Sequence, residues 1–184
     1  VTEKIRRYVF VYIIEAGDCY MIDSGVYGCE KQIASYMESI GRKTSDIKKI
    51  FLTHAHPDHI GSAAWFQDHT GCKIYAPGIE ADFTNHPLLE PSFLYGGFPP
   101  KDLRHKFLMA QESKVENLTS DVLPEGFEII PLPGHFFDMI GIRTPEDVVY
   151  LAIAFRVRKH WTNIKSDLFM MLVHILPPWK KSKR

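Results

Sequence analysis

The chain has 184 residues, 45% of them hydrophobic and 24% charged, with 22 basic and 22 acidic side chains. That is an ordinary soluble composition, long enough for one domain with a real core. No apolar run approaches the ~20 residues that a membrane span requires, and Leu168 to Leu176 is the longest candidate.

The charge is unevenly spread. Residues 1–155 hold 14 basic and 21 acidic side chains, whereas residues 156–184 hold 8 basic side chains and one acid, Asp167. An acidic body argues against nucleic acid as a partner. Lys4, Arg6 and Arg7 precede a strand-like run, not the apolar core of a signal peptide. Cys19, Cys29 and Cys72 form no CxxC pair, so a reduced thiol set and a cytoplasmic location are expected.

In chain order, Tyr8 to Glu15 reads as a strand rich in Val, Ile, Phe and Tyr. Gly17-Asp18 turns the chain into a second strand, Cys19 to Asp23. Asp23-Ser24-Gly25 ends that strand, and its aspartate reads as an ordinary turn residue on pattern alone. Ile33, Ala34, Met37 and Ile40 give Glu30 to Ile40 a helical spacing, and Gly41 stops it. Ile47 to Leu52 is a buried-strand pattern. A helix with small residues begins at Ile60 and runs to about His69, where the helix dipole favours an imidazolium.

Lys73 to Ala76 is a short strand broken by Pro77. Residues 82–102 mix four prolines and two glycines with Phe83, Leu88, Leu89, Phe93, Leu94, Tyr95 and Phe98. So long a Pro/Gly-rich segment is either a lid over a site or an excursion that covers the core edge. Leu103 to Leu118 is expected to be helical in part. Phe127 to Leu132, Met139 to Arg143 and Val148 to Ala152 read as strands, with Pro133-Gly134-His135 turning out of the first. His86 and His105 lack any ligand spacing.

Between strand and helix stands Thr53-His54-Ala55-His56-Pro57-Asp58-His59-Ile60-Gly61. It places three imidazoles and a carboxylate within six positions, the donors a borderline-soft divalent metal prefers. On an extended segment His54 and His56 point to the same side, so both can reach one ion. The loop lies at the carboxyl end of a strand, where open sheets present their sites.

This stretch resembles the signature of the metallo-β-lactamase superfamily of metal-dependent hydrolases, and the resemblance runs from about Tyr8 to Ala152. It implies an α/β (α+β) fold, an αββα sandwich, of which residues 1–152 form the amino-terminal part with an incomplete second half. An exposed sheet edge, and homo-oligomerisation through it, would follow.

The resemblance further implies that His54, His56 and His135 hold one metal, that Asp58 and His59 hold a second, and that Asp23 supports a ligand from behind. Asp58 is also the expected catalytic carboxylate. Zinc is the expected ion, as one or two per chain, with iron or manganese as substitutes. The implied reaction is attack by a metal-bound hydroxide on small ester, thioester or lactam-like substrates. Two rival readings are an inactive, truncated metal-binding chain and a di-iron redox member. Metal identity separates iron from zinc, and turnover with and without chelator separates active from inactive.

The chain departs from the superfamily after "VVYLA". A bridging aspartate is expected there, and Ile153 stands in its place. Residues 153–184 form an atypical basic tail. Codons exist for which one base restored at Ala152 would turn this tail into a reading that begins Ala-Asp-Ser and supplies the carboxylate. The tail is therefore either an out-of-frame product or a divergent, solvated segment. Activity is expected to be impaired, and sequencing the gene across codon 152 decides the tail's origin.

Overall fold

A computed structural model describes residues 9–98, 100, 104 and 109–152. The first sheet runs in the order β1 (Tyr12–Ala16), β2 (Asp18–Ile22), β3 (Ile47–Phe51), β4 (Lys73–Ala76) and β5 (Val115–Asn117). The β1–β2 hairpin is antiparallel and the remaining pairs are parallel. The second sheet is an antiparallel meander of β6 (Glu128–Pro131), β7 (Ile140–Arg143) and β8 (Val149–Leu151). Among the described residues β8 is an edge strand.

Period-two alternation, with a register shift between β2 and β3 that brings Ile47 onto the face of Ile50, decides which side chain goes to which layer. Cys19, Met21, Ile47, Ile50, Ile74 and Ala76 face one cluster, packed with Ile33 and Met37 of α1 (Glu30–Ser39) and Phe66 of α3 (Ala63–Thr70). Tyr20, Ile22, Phe51 and Tyr75 face the other way and meet Leu118, Leu123, Ile140 and Ile142 between the two sheets. The described layers are thus helix, sheet and sheet, a mixed α/β fold. The expectations for residues 153–184 fall outside the described residues.

Two stretches differ from the sequence expectation. Residues 82–102 are not an open loop: α4 (Ile79–Asn85) and α5 (Leu89–Tyr95) occupy most of the described part. The prolines cause little disruption because Pro91 lies in the first turn of α5, where its missing N–H has no intrahelical partner to lose. Within Leu103 to Leu118 the described residues hold β5 instead of a helix. Val115 pairs in register with Ile74, and that ladder outweighs the weak helical pattern. No helix among the described residues is long and apolar enough to cross a membrane.

The carboxyl ends of three parallel strands face one corner. Asp23 follows β2, Thr53 and His54 follow β3, and Pro77 follows β4. The second sheet closes the corner, because Ile140 N–H donates to the Thr53 carbonyl at 3.0 Å. Short α2 (Pro57–Ile60) leaves from His56 and docks on residues 24–27. Gly61 permits that docking: a Cβ there would stand 2.2 Å from the Tyr27 nitrogen and 2.6 Å from the Val26 carbonyl carbon.

Candidate metal centre

Four imidazoles meet at this corner. Ring centroids lie 4.7 Å apart for His54 and His56, 4.3 Å for His54 and His59, 5.1 Å for His54 and His135, and 4.6 Å for His56 and His135. One nitrogen from each of His54, His56 and His135 lies within 4.8 Å of the others. His54 is fully buried, while the side chains of His56 and His59 keep 20% and 16% of their surface exposed. Asp58, on α2, lies 3.9 Å from His59 Nε2 and is 35% exposed.

Asp23 sets the protonation pattern behind these rings. Its carboxylate accepts from the Thr53 N–H at 2.8 Å and from the Thr53 hydroxyl at 2.9 and 3.0 Å. Its Oδ2 also lies 2.8 Å from His59 Nδ1. An ionised carboxylate only accepts, so His59 carries a proton on Nδ1, and in its neutral form Nε2 is bare. The Thr53 hydroxyl has one hydrogen, which it gives to Asp23. Its oxygen, 3.0 Å from His54 Nδ1, then accepts from that nitrogen, and His54 Nε2 is left bare as well. One buried carboxylate thereby orients two rings, one of them through Thr53. Asp23 adopts φ 55°, a left-handed conformation that aspartate tolerates.

The ring charges follow from burial. Burial depresses the His54 imidazolium well below its ordinary range, and the neighbouring rings of His59, His56 and His135 add to the effect. Burial and His135 lower His56 to about 4, and burial and His59 lower His135. Burial also opposes charge on His59, but the charge and hydrogen bond of Asp23, with Asp58 behind, outweigh it and raise that ring. Three neutral imidazoles therefore share one face, in the protonation state that a metal requires.

The donor set fits a cation. His54 Nε2 and His56 Nδ1 are 2.9 Å apart. With His54 Nε2 bare, His56 Nδ1–H is the donor of this hydrogen bond, and a cation between the two nitrogens would take the place of that proton. In a tetrahedral zinc site with Zn–N near ~2.1 Å, ligand nitrogens stand roughly 3.4 Å apart, so modest ring rotations suffice.

Two further carboxylates at the corner escaped the sequence reading. Glu80 of α4 is fully buried. Its Oε2 accepts the Ala55 N–H and its Oε1 the Asp138 N–H, each at 2.9 Å. Asp138 in turn accepts the Ile79 N–H at the start of α4 at 3.0 Å. Glu80 therefore ties the residue between His54 and His56 to the loop that carries His135. Burial pushes its carboxyl up to about 7 against the lowering effect of those two hydrogen bonds. Glu90 of α5 places Oε1 3.4 Å from His56 Nε2. Burial, with Asp58 and Glu80 nearby, pushes its carboxyl up to about 8. An acidic residue in the first turn of a helix ordinarily reads as a dipole partner, so neither position carried a distinguishing signal.

The 82–102 segment borders the centre through Glu90 and through Phe93, whose ring lies 5.8 Å from Phe137. Phe137 packs on Phe136 at 5.2 Å, and Phe136 lies 4.7 Å from His56. Tyr95 and Phe98 are exposed. His69 stacks on Trp65 at 4.1 Å, away from the other rings named above.

Comparison with known proteins agrees with this architecture. Residues 5–154 match the family model described as the metallo-β-lactamase superfamily. A hydroxyacylglutathione hydrolase of Hyphomonas neptunium is 41% identical over 49 residues, which is 27% of this chain and 19% of that enzyme. The subclass B3 metallo-β-lactamase BJP-1 of Bradyrhizobium japonicum superposes with a TM-score of 0.56 at 22% identity, over 76% of this chain and 53% of that one. The metallo-β-lactamase GOB-18 of Elizabethkingia meningoseptica gives 0.58 at 20% identity, over 72% and 48%. The chain spans about half the length of these structures. A family match over most of its length, on a fold whose strand ends gather four imidazoles, makes this chain a member of the metallo-β-lactamase superfamily.

Proposed function

We propose that the chain is a metal-dependent hydrolase in which His54, His56 and His135 hold a zinc ion. The observation that carries this reading is the convergence of three neutral imidazole nitrogens within 4.8 Å. His59 Nε2 and Asp58 offer two donors to a second ion, and iron or manganese would suit the same nitrogen and oxygen set. A bound ion supplies a Lewis acid that lowers the pKa of water and polarises a carbonyl or phosphoryl oxygen.

The chain's own residues do the rest. Asp23 and Thr53 fix the His54 and His59 rings, and Glu80 fixes the separation of the two ligand loops. Asp58, half out of the corner, is the carboxylate placed to orient a water or take a proton. Phe136 beside His56, with the exposed rings of Phe137 and Phe93 next to it, offers an apolar surface that suits a small ester, thioester or lactam-like substrate with an apolar group. A reducing, cytoplasmic location is part of this reading, and the buried thiols of Cys19 and Cys72, which form no disulfide with each other, suit it.

A weakly active or inactive chain is the second reading. It rests on Ile153, whose apolar side chain supplies no donor where the resemblance expects a bridging carboxylate. The test is metal content after mild purification, followed by ester and thioester hydrolysis with and without chelator. The reading expects about one tightly held zinc per chain and weak, chelator-sensitive turnover. A chain that binds no divalent metal refutes it.

A further inference from the structure

The helix α5 is turned the wrong way for hydrophobic burial. Leu89, Phe93, Leu94 and Tyr95 are 45%, 63%, 54% and 49% exposed, while Glu90 is 4% exposed. Burying Leu89 or Phe93 instead would be favourable, whereas burying a carboxylate without partners is costly. Glu90 Oε2 is buried and takes no hydrogen bond from the described residues, so packing alone does not explain this orientation. The group that Glu90 does meet is His56, whose Nε2 lies 3.4 Å from Oε1. The opposite nitrogen of that ring, Nδ1, is the one that faces His54 Nε2 at 2.9 Å.

A histidine that binds metal through one nitrogen carries its proton on the other, and that N–H is held by a carboxylate or a carbonyl. Asp23 performs this service for His59, and Thr53 performs it for His54. We propose that Glu90 is the positioning residue for His56: its Oε1 receives the Nε2–H and presents Nδ1 to the metal. The proposal rests on the metal-centre reading above. It gives α5 a role in the site, since a carboxylate on that helix is within reach of a ligand ring only while the helix stays seated over the corner. The second oxygen remains available to a donor on the substrate or its attacking water.

The test is zinc affinity, measured by competition with a chromogenic chelator on the full chain. Glu90→Met keeps the side-chain length and removes the acceptor, and Glu90→Gln restores an acceptor oxygen. Glu90→Met is expected to bind zinc ~10–100-fold more weakly, as is typical when the outer partner of a ligand histidine is lost. Glu90→Gln is expected to recover part of that loss, which a purely structural role would not produce. The metal-free Glu90→Met chain should melt no lower than the parent, because a buried carboxylate has gone.

Parental zinc affinity in Glu90→Met overturns the proposal. If that variant does not fold, the zinc-loaded parent decides by nitrogen-15 NMR. A slowly exchanging, hydrogen-bonded His56 Nε2–H supports the proposal, and a freely exchanging one overturns it. His56→Ala separates the two readings. If it leaves zinc affinity unchanged, the metal centre itself is wrong. If it abolishes binding while Glu90→Met does not weaken it, only the role of Glu90 fails.

Discussion

Replacing Asp23 with asparagine tests the protonation pattern most directly. Asparagine tolerates the left-handed φ of 55°, so the backbone gains no strain. It offers one acceptor oxygen where the carboxylate has two. If that oxygen faces the Thr53 N–H and hydroxyl, the amide NH2 faces His59 Nδ1. That ring must then move its proton to Nε2, the nitrogen otherwise free for metal. At least one charge-assisted hydrogen bond is lost and another becomes neutral, at ~1.5–3 kcal/mol for the first and ~1 kcal/mol for the second. The metal-free chain should therefore lose about 3 kcal/mol in urea denaturation at an unchanged m-value, or ~6–12 °C in midpoint for a chain of this size. Zinc affinity should fall ~10–100-fold. Asp23→Ala should cost ~1 kcal/mol more, since alanine resists the left-handed conformation. Stability within 0.5 kcal/mol of the parent, or an unchanged His59 tautomer by nitrogen-15 NMR, would refute the reasoning.

Single alanine substitutions of His54, His56 and His135 should each reduce zinc content below stoichiometric, while His69→Ala should not; equal loss in all four would contradict the assignment. Glu80→Gln should cost ~1–3 kcal/mol, because the Ala55 or Asp138 N–H then faces an NH2, and zinc affinity should fall with stability as the two ligand loops loosen. The pH dependence of His56 has a definite sign. Its native value, about 4, lies below the unfolded 6.5, so the unfolded chain takes the proton first and stability drops as pH falls from 6.5 to 4. Compared with His56→Leu, the metal-free parent should lose roughly 3 kcal/mol across that window, and parallel stability curves would overturn the estimate. Ile153→Asp should raise metal binding modestly; no change would mean that this position does not face the site.

How far the sequence could be read depended on how local the signal was. The strands of the first sheet were legible because Cys19 to Ile22 and Ile47 to Leu52 are short, apolar-rich runs bounded by turn residues, the mark of a buried strand. The histidine cluster was legible because four of its donors lie within six positions. His135 needed the resemblance, since nothing local marks one imidazole after Pro133-Gly134. Thr53, Glu80 and Glu90 were not legible at all. Each acts through a partner 25 or more residues away or through an adjacent ring, and residue type alone does not announce such a partner. The prolines and glycines of 82–102 suggested a loop because they break most helices. The short lengths of α4 and α5 let the breakers sit in first turns and at ends.

The placement of charge ties the metal to the fold. Glu80 and Glu90 are almost fully buried near His54 and His56, rings that burial keeps neutral, whereas Asp23 meets His59, the ring whose charged form it favours. Buried carboxylates facing neutral partners are costly, and the raised carboxyls of Glu80 and Glu90 express that cost. In the proposed centre a divalent ion among the rings supplies the missing positive charge to Glu80 and Glu90, and it reaches Glu90 through the His56 N–H. Metal binding should then stabilise the chain by more than the three coordination bonds alone would suggest, because it also relieves an electrostatic strain already present in the metal-free fold. The same logic explains why the supporting carboxylates come from the end of β2, from α4 and from α5, and not from the ligand loop itself. A carboxylate within the loop competes for the ion, whereas one anchored on a neighbouring element can hold only the outer edge of a ring.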